Sequence, residues 1–392
     1  MPFCKSSLTL FLSGILLTSC LQRKNSFTET MQLEAGKEFI LHLDSVTAPS
    51  GVCLQYVNGT DSMPGNFLAQ YNPENRDINI YDFSQGTLLK KITFPLEGPN
   101  SLPKVDGFHF ISPDSLILYN YPTKSFTITD LKKNTRLRLY PLNSFKTYFA
   151  DSSAILPADP VVSTNQPVCY LNQQLYTSGH ILYIGPGMDK KTLSSVCRID
   201  LKDSMATNLC VSEKYFKHKM WCGEHYNIFQ TINKEKQTLV FSLPMSDSLF
   251  TLDIKTGKIS SYYAGSRHFT ETDILPFRND LTGNNIPGQL ADLQFFFDHP
   301  SYCMVTYDPY RKVYYRMAIK PSGATSRAGL QLATSIVIIL NENFEKTGEI
   351  VLPDTYYAFS GHFITPEGLY LRKKETENED IMRFTCFTLK KK

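Results

Sequence analysis

The chain has 392 residues, of which 42% are hydrophobic, and a formal net charge of +3. This length and apolar content allow a large buried core, in one all-β domain or two smaller domains, and exclude a disordered protein. Part of the positive charge lies in the N-terminal region and in the terminal residues 390–392, so the folded body is close to neutral and nucleic-acid binding is not expected.

The N-terminal region has the pattern of a bacterial lipoprotein signal peptide. Lys5 supplies a positive charge, residues 8–17 form an apolar run, and residues 17–20, Leu-Thr-Ser-Cys, form a lipobox. The apolar run is shorter than the roughly 20 residues that a membrane-spanning helix needs. We therefore expect a signal peptide over residues 1–19 and a mature chain anchored by a lipid, such as palmitate, on Cys20. An ordinary secretory signal with an incidental cysteine is the alternative.

We interpret residues 20–36 as the lipidated cysteine and a polar tether. No aspartate directly follows Cys20, which favours the outer over the inner membrane by analogy with lipoprotein sorting in other bacteria. The expected location is the cell envelope, with the membrane as a partner through the lipid.

From residue 48 onward the chain carries an irregular strand repeat. Each copy has strands with period-2 alternation, a turn with proline, and a strand that ends in aspartate before a polar turn. The closing aspartates of four copies are 48, 70 and 53 residues apart, close to the roughly 40 to 50 residues of a propeller blade with insertions. Six antiparallel blades are predicted, over residues 48–95, 104–141, 166–212, 225–264, 301–353 and 356–390.

The predicted fold is therefore an all-β, six-bladed β-propeller over residues 37–392, which the many tyrosines and phenylalanines also favour. The last blade lacks an outer strand. Residues 37–43 alternate in the right way to supply it, so a strand from the N-terminus would close the ring. Seven blades are the alternative, because residues 264–300 could contain further strands. A pair of β-sandwiches fits the repeat less well.

Two distant segments have similar sequences. Residues 109–116 read HFISPDSL and residues 362–369 read HFITPEGL. We expect equivalent strand–turn–strand units in two blades of the ring.

The lipobox, the chain length and the segment Tyr307 to Arg316, YDPYRKVYYR, together carry a family resemblance. They resemble an uncharacterised lipoprotein family of Bacteroidetes-type bacteria, catalogued as a domain of unknown function. The resemblance covers most of the mature chain and implies a six-bladed propeller of the TolB-like or NHL-like kind. It implies no catalytic residues.

The cysteines do not form an obvious disulfide framework. Seven remain once Cys4 and Cys20 are set aside, no C-x-x-C motif occurs, and most are interpreted as small buried hydrophobic residues. Cys197 and Cys210 flank a turn at residues 202–205, so a hairpin there would place them opposite each other. A disulfide between these two residues and a pair of packed thiols are both open.

The segment Phe269 to His299 is the longest predicted insertion and is rich in polar side chains. Loops on rigid scaffolds often carry function, so a binding site is sought here first, with a solvated loop as the alternative. The candidate binding residues are Arg278, Asp280, Asp292, Asp298 and His299.

The Tyr307 to Arg316 segment concentrates charged and tyrosine side chains, but its structural interpretation is simpler. The Asp308-Pro309 pair favours a turn, so we predict a hairpin of Met304–Tyr307 with Lys312–Ala318.

The stretch His218 to His225 has the only local group of plausible metal ligands. It offers three candidates in a spacing that is not a zinc signature, so neither a metal nor another cofactor is expected. Trp221 within this stretch could stack on a sugar at the mouth of the ring.

The common hydrolase and nucleotide motifs, such as G-x-S-x-G and H-E-x-x-H, do not occur. The favoured interpretation is a non-catalytic, lipid-anchored propeller that binds a ligand or an envelope protein partner at one face of the ring. One alternative is an envelope enzyme that acts on glycans with carboxylates around the channel, for which no catalytic residues can be assigned. Another is a structural subunit of a membrane assembly.

Overall fold

The computed structural model describes most of the chain from residue 27 onward. The described residues are 27–49, 53–60, 65–98, 101–102, 104–133, 135–141, 156–181, 193–209, 215–216, 219–278, 289–325, 331–352, 357–373 and 378–392. The predicted signal peptide and Cys20 lie outside these ranges.

Six antiparallel sheets follow one another along the chain, and each sheet is one blade. Blade 1 contains β2 (Leu54–Val57), β3 (Phe67–Asn72), β4 (Asp77–Asp82) and β5 (Leu88–Ile92). Blade 2 contains β6 (Gly107–Ser112), β7 (Ser115–Asn120), β8 (Ser125–Asp130) and β9 (Thr135–Pro141). Blade 3 contains β11 (Asp159–Pro160), β12 (Cys169–Leu171), β13 (Gln174–His180), β15 (Val196–Asp200) and β16 (Ala206–Leu209), beside a short parallel pair of β10 (Leu156–Pro157) and β14 (Leu193–Ser194).

The second half of the chain forms the remaining blades. Blade 4 contains β17 (Phe229–Asn233), β18 (Thr238–Ser242), β19 (Ser248–Asp253) and β20 (Ile259–Tyr263). Blade 5 contains β21 (Ser301–Asp308), β22 (Val313–Thr325), β23 (Gln331–Asn341) and β24 (Lys346–Val351). Blade 6 contains β25 (Tyr357–Ile364), β26 (Leu369–Lys373), β27 (Ile381–Lys391) and, as its outermost strand, β1 (Met31–His42).

Blade 6 thus joins a strand from the N-terminal region to three strands from the C-terminal region. β1 pairs with β27 in antiparallel register, from Met31 opposite Lys391 to His42 opposite Ile381. Ring closure by an N-terminal strand is therefore confirmed, although the strand begins six residues before the predicted 37–43.

Six blades are confirmed, and the seven-blade alternative is not supported. Between β20 and β21, the described residues form a 3₁₀ turn at Glu271–Asp273 and the helix α1 (Gln289–Asp298), where a further blade would need strands.

No helix among the described residues is both long and apolar enough to cross a membrane. The two similar sequence segments form the first hairpins of blades 2 and 6, β6–β7 and β25–β26. Their registers differ by one residue, since Phe110 lies opposite Leu116 whereas the aligned Phe363 lies opposite Tyr370.

The strand directions define two faces of the ring. Successive strands of a blade are antiparallel, so their connections alternate between two edges. The turns from first to second and from third to fourth strand share one edge, which we call the turn face. The opposite edge, the connection face, is where the described second-to-third turns lie and where each blade-to-blade connection leaves its blade.

Neighbouring blades meet along interfaces that we call seams. The seam between blades 6 and 1 buries Phe39 and Leu41 of the closing strand against Leu68 and Phe384. Such packing buries the apolar faces that a single meander would expose, and ring closure removes the free ends. The closing strand therefore contributes side chains to the core of this seam as well as completing the ring.

The seam between blades 4 and 5 contains a fully buried cation, Arg316 on β22. Its guanidinium donates to the hydroxyl of Ser242 at 3.1 Å and to the carbonyls of Ala264 (3.1 Å), Leu243 (3.4 Å) and Ser246 (2.6 Å). It also lies 3.7 Å from the centre of the Tyr302 ring. Burial lowers the pKa of Arg316 to about 10, so the side chain keeps its charge at neutral pH.

Candidate functional site

A cleft of about 500 Å³ lies on the connection face beside blade 4. One wall comes from the connection between blades 3 and 4, with Tyr215, Lys219 and Trp221. The other wall comes from the connection between blades 4 and 5, at residues 271–276, and Met245 of a blade 4 turn completes the lining. The fold thus brings together two segments that the sequence analysis treated separately, the Trp221 stretch and the long insertion.

Local hydrogen bonds fix the second wall. Thr270 and Asp273 form a capping box around the 3₁₀ turn, in which the Thr270 amide donates to Asp273 Oδ2 at 2.6 Å. This turn carries Glu271, whose Oε2 accepts weak hydrogen bonds from the Tyr215 hydroxyl and the Asp247 amide, both at 3.4 Å. The cleft walls are therefore tied to each other and to blade 4.

Trp221 supports the first wall and does not offer an open ring face. Its side chain is only 4% exposed, and Nε1 donates to the Tyr215 carbonyl at 2.6 Å. The Lys219 ammonium lies 5.7 Å from the ring centre. By contrast, Leu275 on the opposite wall is 47% exposed, so the accessible apolar surface of the cleft is aliphatic.

The candidate residues of the insertion do not converge on one site. The Arg278 backbone forms a bridge with Met220, at 2.9 and 3.0 Å. Asp292 on α1 accepts the Gly223 amide at both oxygens, at 2.9 and 2.8 Å. Asp298 accepts from Gln294 within the helix at 2.7 Å, and the His299 Nδ1 donates to the Phe295 carbonyl at 2.8 Å. Asp280 lies outside the described residues.

Asp292 has a clear structural role, because it fastens α1 to a 3₁₀ turn at Gly223–Tyr226. The predicted binding loop is therefore partly an anchored helix, and its contribution to the cleft comes from residues 271–276 instead.

A thiol and an imidazole meet beneath α1. Cys222 Sγ lies 2.7 Å from His225 Nδ1, and both side chains are fully buried. Burial lowers the pKa of His225 to about 3, and burial together with the nearby Asp292 carboxylate raises the pKa of the Cys222 thiol. The thiol therefore stays protonated and donates to a neutral imidazole, which is the opposite of an activated cysteine nucleophile.

The described residues contain no group of three or more His, Cys, Asp and Glu side chains placed to hold a metal ion. His218 of the Trp221 stretch lies outside them.

The structure bears on the possible disulfide between Cys197 and Cys210 through Cys197 alone. Cys197 has a free, buried thiol, and its cross-strand neighbour in the β15–β16 pairing is Asn208. The hairpin register is two residues shorter than the one that would place Cys210 opposite Cys197, and Cys210 itself lies outside the described residues. Antiparallel disulfides need directly opposed cysteines, so this register disfavours the bond.

The Tyr307 to Arg316 segment forms the predicted structural hairpin, with β21 and β22 around the turn at residues 309–312. Within it, Arg311 and the buried Asp308 form an ion pair at 2.7 Å. Arg311 also donates to the carbonyls of Thr365 (3.1 Å) and Pro366 (2.6 Å) in the first turn of blade 6. The segment therefore links two blades on the turn face.

The innermost described strands carry two carboxylates, and both are committed to cations. Asp308 pairs with Arg311, and Asp159 on β11 accepts the Lys124 ammonium at 2.5 Å. Glycosidases need a pair of carboxyl groups that face each other across a bond, and these two are instead held by neighbouring side chains.

Sequence reasoning missed a second cleft, of about 620 Å³, on the turn face between blades 6 and 1. Its walls include Phe39, Tyr56, Phe83 and Tyr370, and a Glu367–Lys37 ion pair at 2.9 Å lies at its edge. The predicted ring closure placed residues 37–43 beside blade 6. No sequence pattern indicates that residues 82–84 of blade 1 pack close to this strand and form the other side of the cleft.

Together, the ring of six four- or five-stranded sheets and its N-terminal closing strand define a six-bladed β-propeller. The chain belongs to the family described as a domain of unknown function, DUF4221, whose model matches residues 29–351. The expected family of unknown function and its six-bladed propeller are confirmed, and the lipoprotein character stays a prediction.

A solved structure of a DUF4221 member from Bacteroides vulgatus superposes with a TM-score of 0.75 at 20% identity, covering 93% of this chain and 100% of that chain. A Bacteroides fragilis protein, classed provisionally as exported, gives a TM-score of 0.49 at 10% identity, covering 93% of this chain and 96% of that one. A comparison with curated proteins gives no match. The first likeness shows the fold, and neither assigns an activity.

Proposed function

We propose that this protein is a non-catalytic propeller of the cell envelope, anchored by a lipid on Cys20 to the outer membrane, which binds a protein partner in the cleft on the connection face. The observation that carries this proposal is the cleft itself, which has an exposed aliphatic wall at Leu275 and the exposed Lys219 across from it.

The first described residues are fastened beside the outer strand of blade 5 and the C-terminus. The Phe27 ring lies 4.4 Å from the Lys346 ammonium, and Glu29 forms ion pairs with Lys392 and Arg267. Six residues lie between Cys20 and Phe27, and the seven steps of an extended chain reach about 25 Å. A lipid on Cys20 would therefore hold this edge of blades 5 and 6 close to the membrane.

The chemistry of the described residues favours binding over catalysis. Both carboxylates on the innermost strands have cationic partners, and the buried thiol–imidazole pair is held in its unreactive form. These contacts give less support to the alternative of a glycan-acting enzyme with carboxylates around the channel.

The cleft suits an apolar side chain of a protein partner better than a sugar ring. Sugar binding commonly uses an exposed aromatic face, whereas Trp221 is buried and its indole nitrogen is already bonded. The aliphatic side chain of Leu275 offers an exposed wall, with the exposed Lys219 across the cleft to pair with an acidic group.

The anchor is tested by Cys20→Ala in the native host. We expect the variant to leave the membrane fraction and to lose incorporation of labelled palmitate. Unchanged lipid labelling would refute the anchor.

The cleft is tested in two separate experiments. The first places a photo-crosslinking amino acid at position 275, and the second measures partner binding by the Leu275→Asp variant. We expect one discrete crosslinked envelope protein, and at least tenfold weaker binding of that purified protein to Leu275→Asp. Leu89→Asp is the matched control, because Leu89 is exposed on the outer strand β5 of blade 1, away from the cleft. Equal binding by both variants, or selective binding to a glycan array, would contradict a protein partner at this cleft.

A further inference from the structure

The seam between blades 6 and 1 changes from apolar to polar as it approaches the connection face. On one face of β3 and β4, Leu68 lies opposite Tyr81, followed by Gln70 opposite Asn79 and Asn72 opposite Asp77. The first pair belongs to the apolar core of the seam, and all four polar side chains of the next two pairs are buried. A buried polar group needs a partner, so the contacts of these side chains are informative.

Most donors of this cluster converge on Thr47 in the connection that follows the closing strand. Asn79 Nδ2 donates to Thr47 Oγ1 at 2.9 Å and Asn72 Nδ2 approaches the same atom at 3.4 Å. Thr47 Oγ1 in turn donates to Asp44 Oδ1 at 2.5 Å. The amide heads and one carboxylate are thus gathered around a single hydroxyl.

Three oxygens of the cluster have no hydrogen-bond partner among the described residues. They are Gln70 Oε1, Asn79 Oδ1 and Asp77 Oδ1, each with almost no solvent-accessible surface. The Gln70 amide nitrogen finds only the sulfur of Met382, at 3.5 Å. Each of these unpartnered atoms is an acceptor, and leaving a buried acceptor without a donor is unfavourable.

The local charge is also negative. Asp44 and Asp77 bring two carboxylates, while Lys91 is the cation paired with them, in contact with Asp44 and 4.0 Å from Asp77 Oδ2. Lys91 and Asp44 are partly exposed, so the cluster is reachable from solvent. A surplus of carboxylate and amide oxygens without donors is the ligand chemistry of a hard cation.

We propose that the seam between blades 6 and 1 binds a calcium ion through Asp77, Asn79 and Gln70, with Asp44 as a further carboxylate ligand and water completing the shell. Calcium accepts six to eight oxygen ligands in flexible geometry, including Asn and Gln carbonyl oxygens, and so tolerates a mixed set of this kind. The ion would brace blade 1 against the connection that leaves the closing strand. Such a site strengthens ring closure and does not depend on the function proposed above.

The test compares unfolding and calcium binding of the full mature chain after removal of divalent ions with EDTA. Titration of wild-type protein with calcium chloride should give a saturable rise in melting temperature and a binding isotherm by calorimetry. Asp77→Asn removes one ligand charge and should raise the dissociation constant at least tenfold, because ligand charge sets calcium affinity. Asp82→Asn lies on the same strand outside the cluster and should bind as wild type does.

Lys91→Met provides a variant with the opposite expected effect. Removal of the competing ammonium should tighten calcium binding several-fold, which keeps the proposal testable even if Asp77→Asn folds poorly. No heat and no change in melting temperature at millimolar calcium would overturn the site, because a buried water would then satisfy the oxygens. Equal calcium responses in wild type, Asp77→Asn and Lys91→Met would also overturn it.

Discussion

Two of the seams with buried polar groups, between blades 4 and 5 and between blades 6 and 1, differ in which kind of group lacks a partner of opposite charge or a hydrogen-bond donor. Between blades 4 and 5, the Arg316 cation has no carboxylate in its contacts, yet four neutral acceptors receive its donors. Between blades 6 and 1, carboxylate and amide oxygens outnumber their donors, and three of them stay unpartnered. The first seam lies within a continuous run of chain, whereas the second is where the closing strand meets the first blade. The comparison teaches that a buried charged group is tolerated when its hydrogen bonds are complete, even where no opposite charge is in contact with it.

The largest effect should follow from deletion of residues 37–43. This change removes Phe39 and Leu41 from the core of the 6–1 seam and exposes the edge of β27. We expect loss of cooperative thermal unfolding, or a fall in melting temperature well beyond that of any point variant described below. Differential scanning calorimetry measures it, and an unaltered melting temperature would count against ring closure by β1.

Arg316→Met should have the next largest effect, because it removes the donor to the carbonyls of Ala264 and Ser246 and to the Ser242 hydroxyl in the 4–5 seam. We expect a loss of about 3–5 kcal/mol in the free energy of unfolding, measured in urea. Arg316→Lys should recover only part of it, since an ammonium cannot reproduce the fork of a guanidinium. Arg383→Met, at a partly exposed ion pair with Glu38, is the control and should cost less than about 1 kcal/mol. Equal losses at both positions would remove the distinction between a buried and a surface cation.

Gln70→Leu should have the smallest effect and the opposite sign. In EDTA, the substitution removes an unpartnered acceptor from the 6–1 seam, so we expect the free energy of unfolding to rise by about 1 kcal/mol. Asn233→Leu is the matched control, because its amide donates to the Tyr314 hydroxyl at 3.1 Å and accepts the Lys236 amide at 3.0 Å, and it should be destabilising. Destabilisation by Gln70→Leu in EDTA would show that Gln70 Oε1 has a hydrogen-bond partner. The 6–1 seam would then resemble the 4–5 seam in having its buried polar groups satisfied.

Much of the fold could be predicted from the sequence, because strand alternation and turn residues are local signals. Blade 4 was expected over 225–264 and its strands span Phe229–Tyr263, while blade 5 was expected over 301–353 and spans Ser301–Val351. The errors occur where the local signal is interrupted. β1 starts at Met31, but a register shift between Ala35 and Glu38 breaks its period-2 pattern, so only its second half was recognised.

Blade 3 illustrates a second limit. Its innermost strand is split into Asp159–Pro160 and Cys169–Leu171, both paired with β13, and pieces of two or three residues show no alternation. The long insertion illustrates a third, since Gln289–Asp298 forms a helix where hidden strands were considered.

The candidate site was less predictable than the fold. Trp221 and residues 271–276 lie on different connections, and only the ring geometry makes them neighbours. The unpartnered oxygens of Gln70, Asp77 and Asn79 depend on which donors reach them, which a residue pattern does not encode.

The adjacency of Thr30 and Lys392, whose backbones share a 2.9 Å hydrogen bond, makes the ring a natural subject for circular permutation. A short peptide could join these positions, and the chain could be reopened between β22, which ends at Thr325, and β23, which begins at Gln331. A lipidated leader fused to that new start would attach the molecule through blade 5, while all the strand pairings of blade 6 stayed the same.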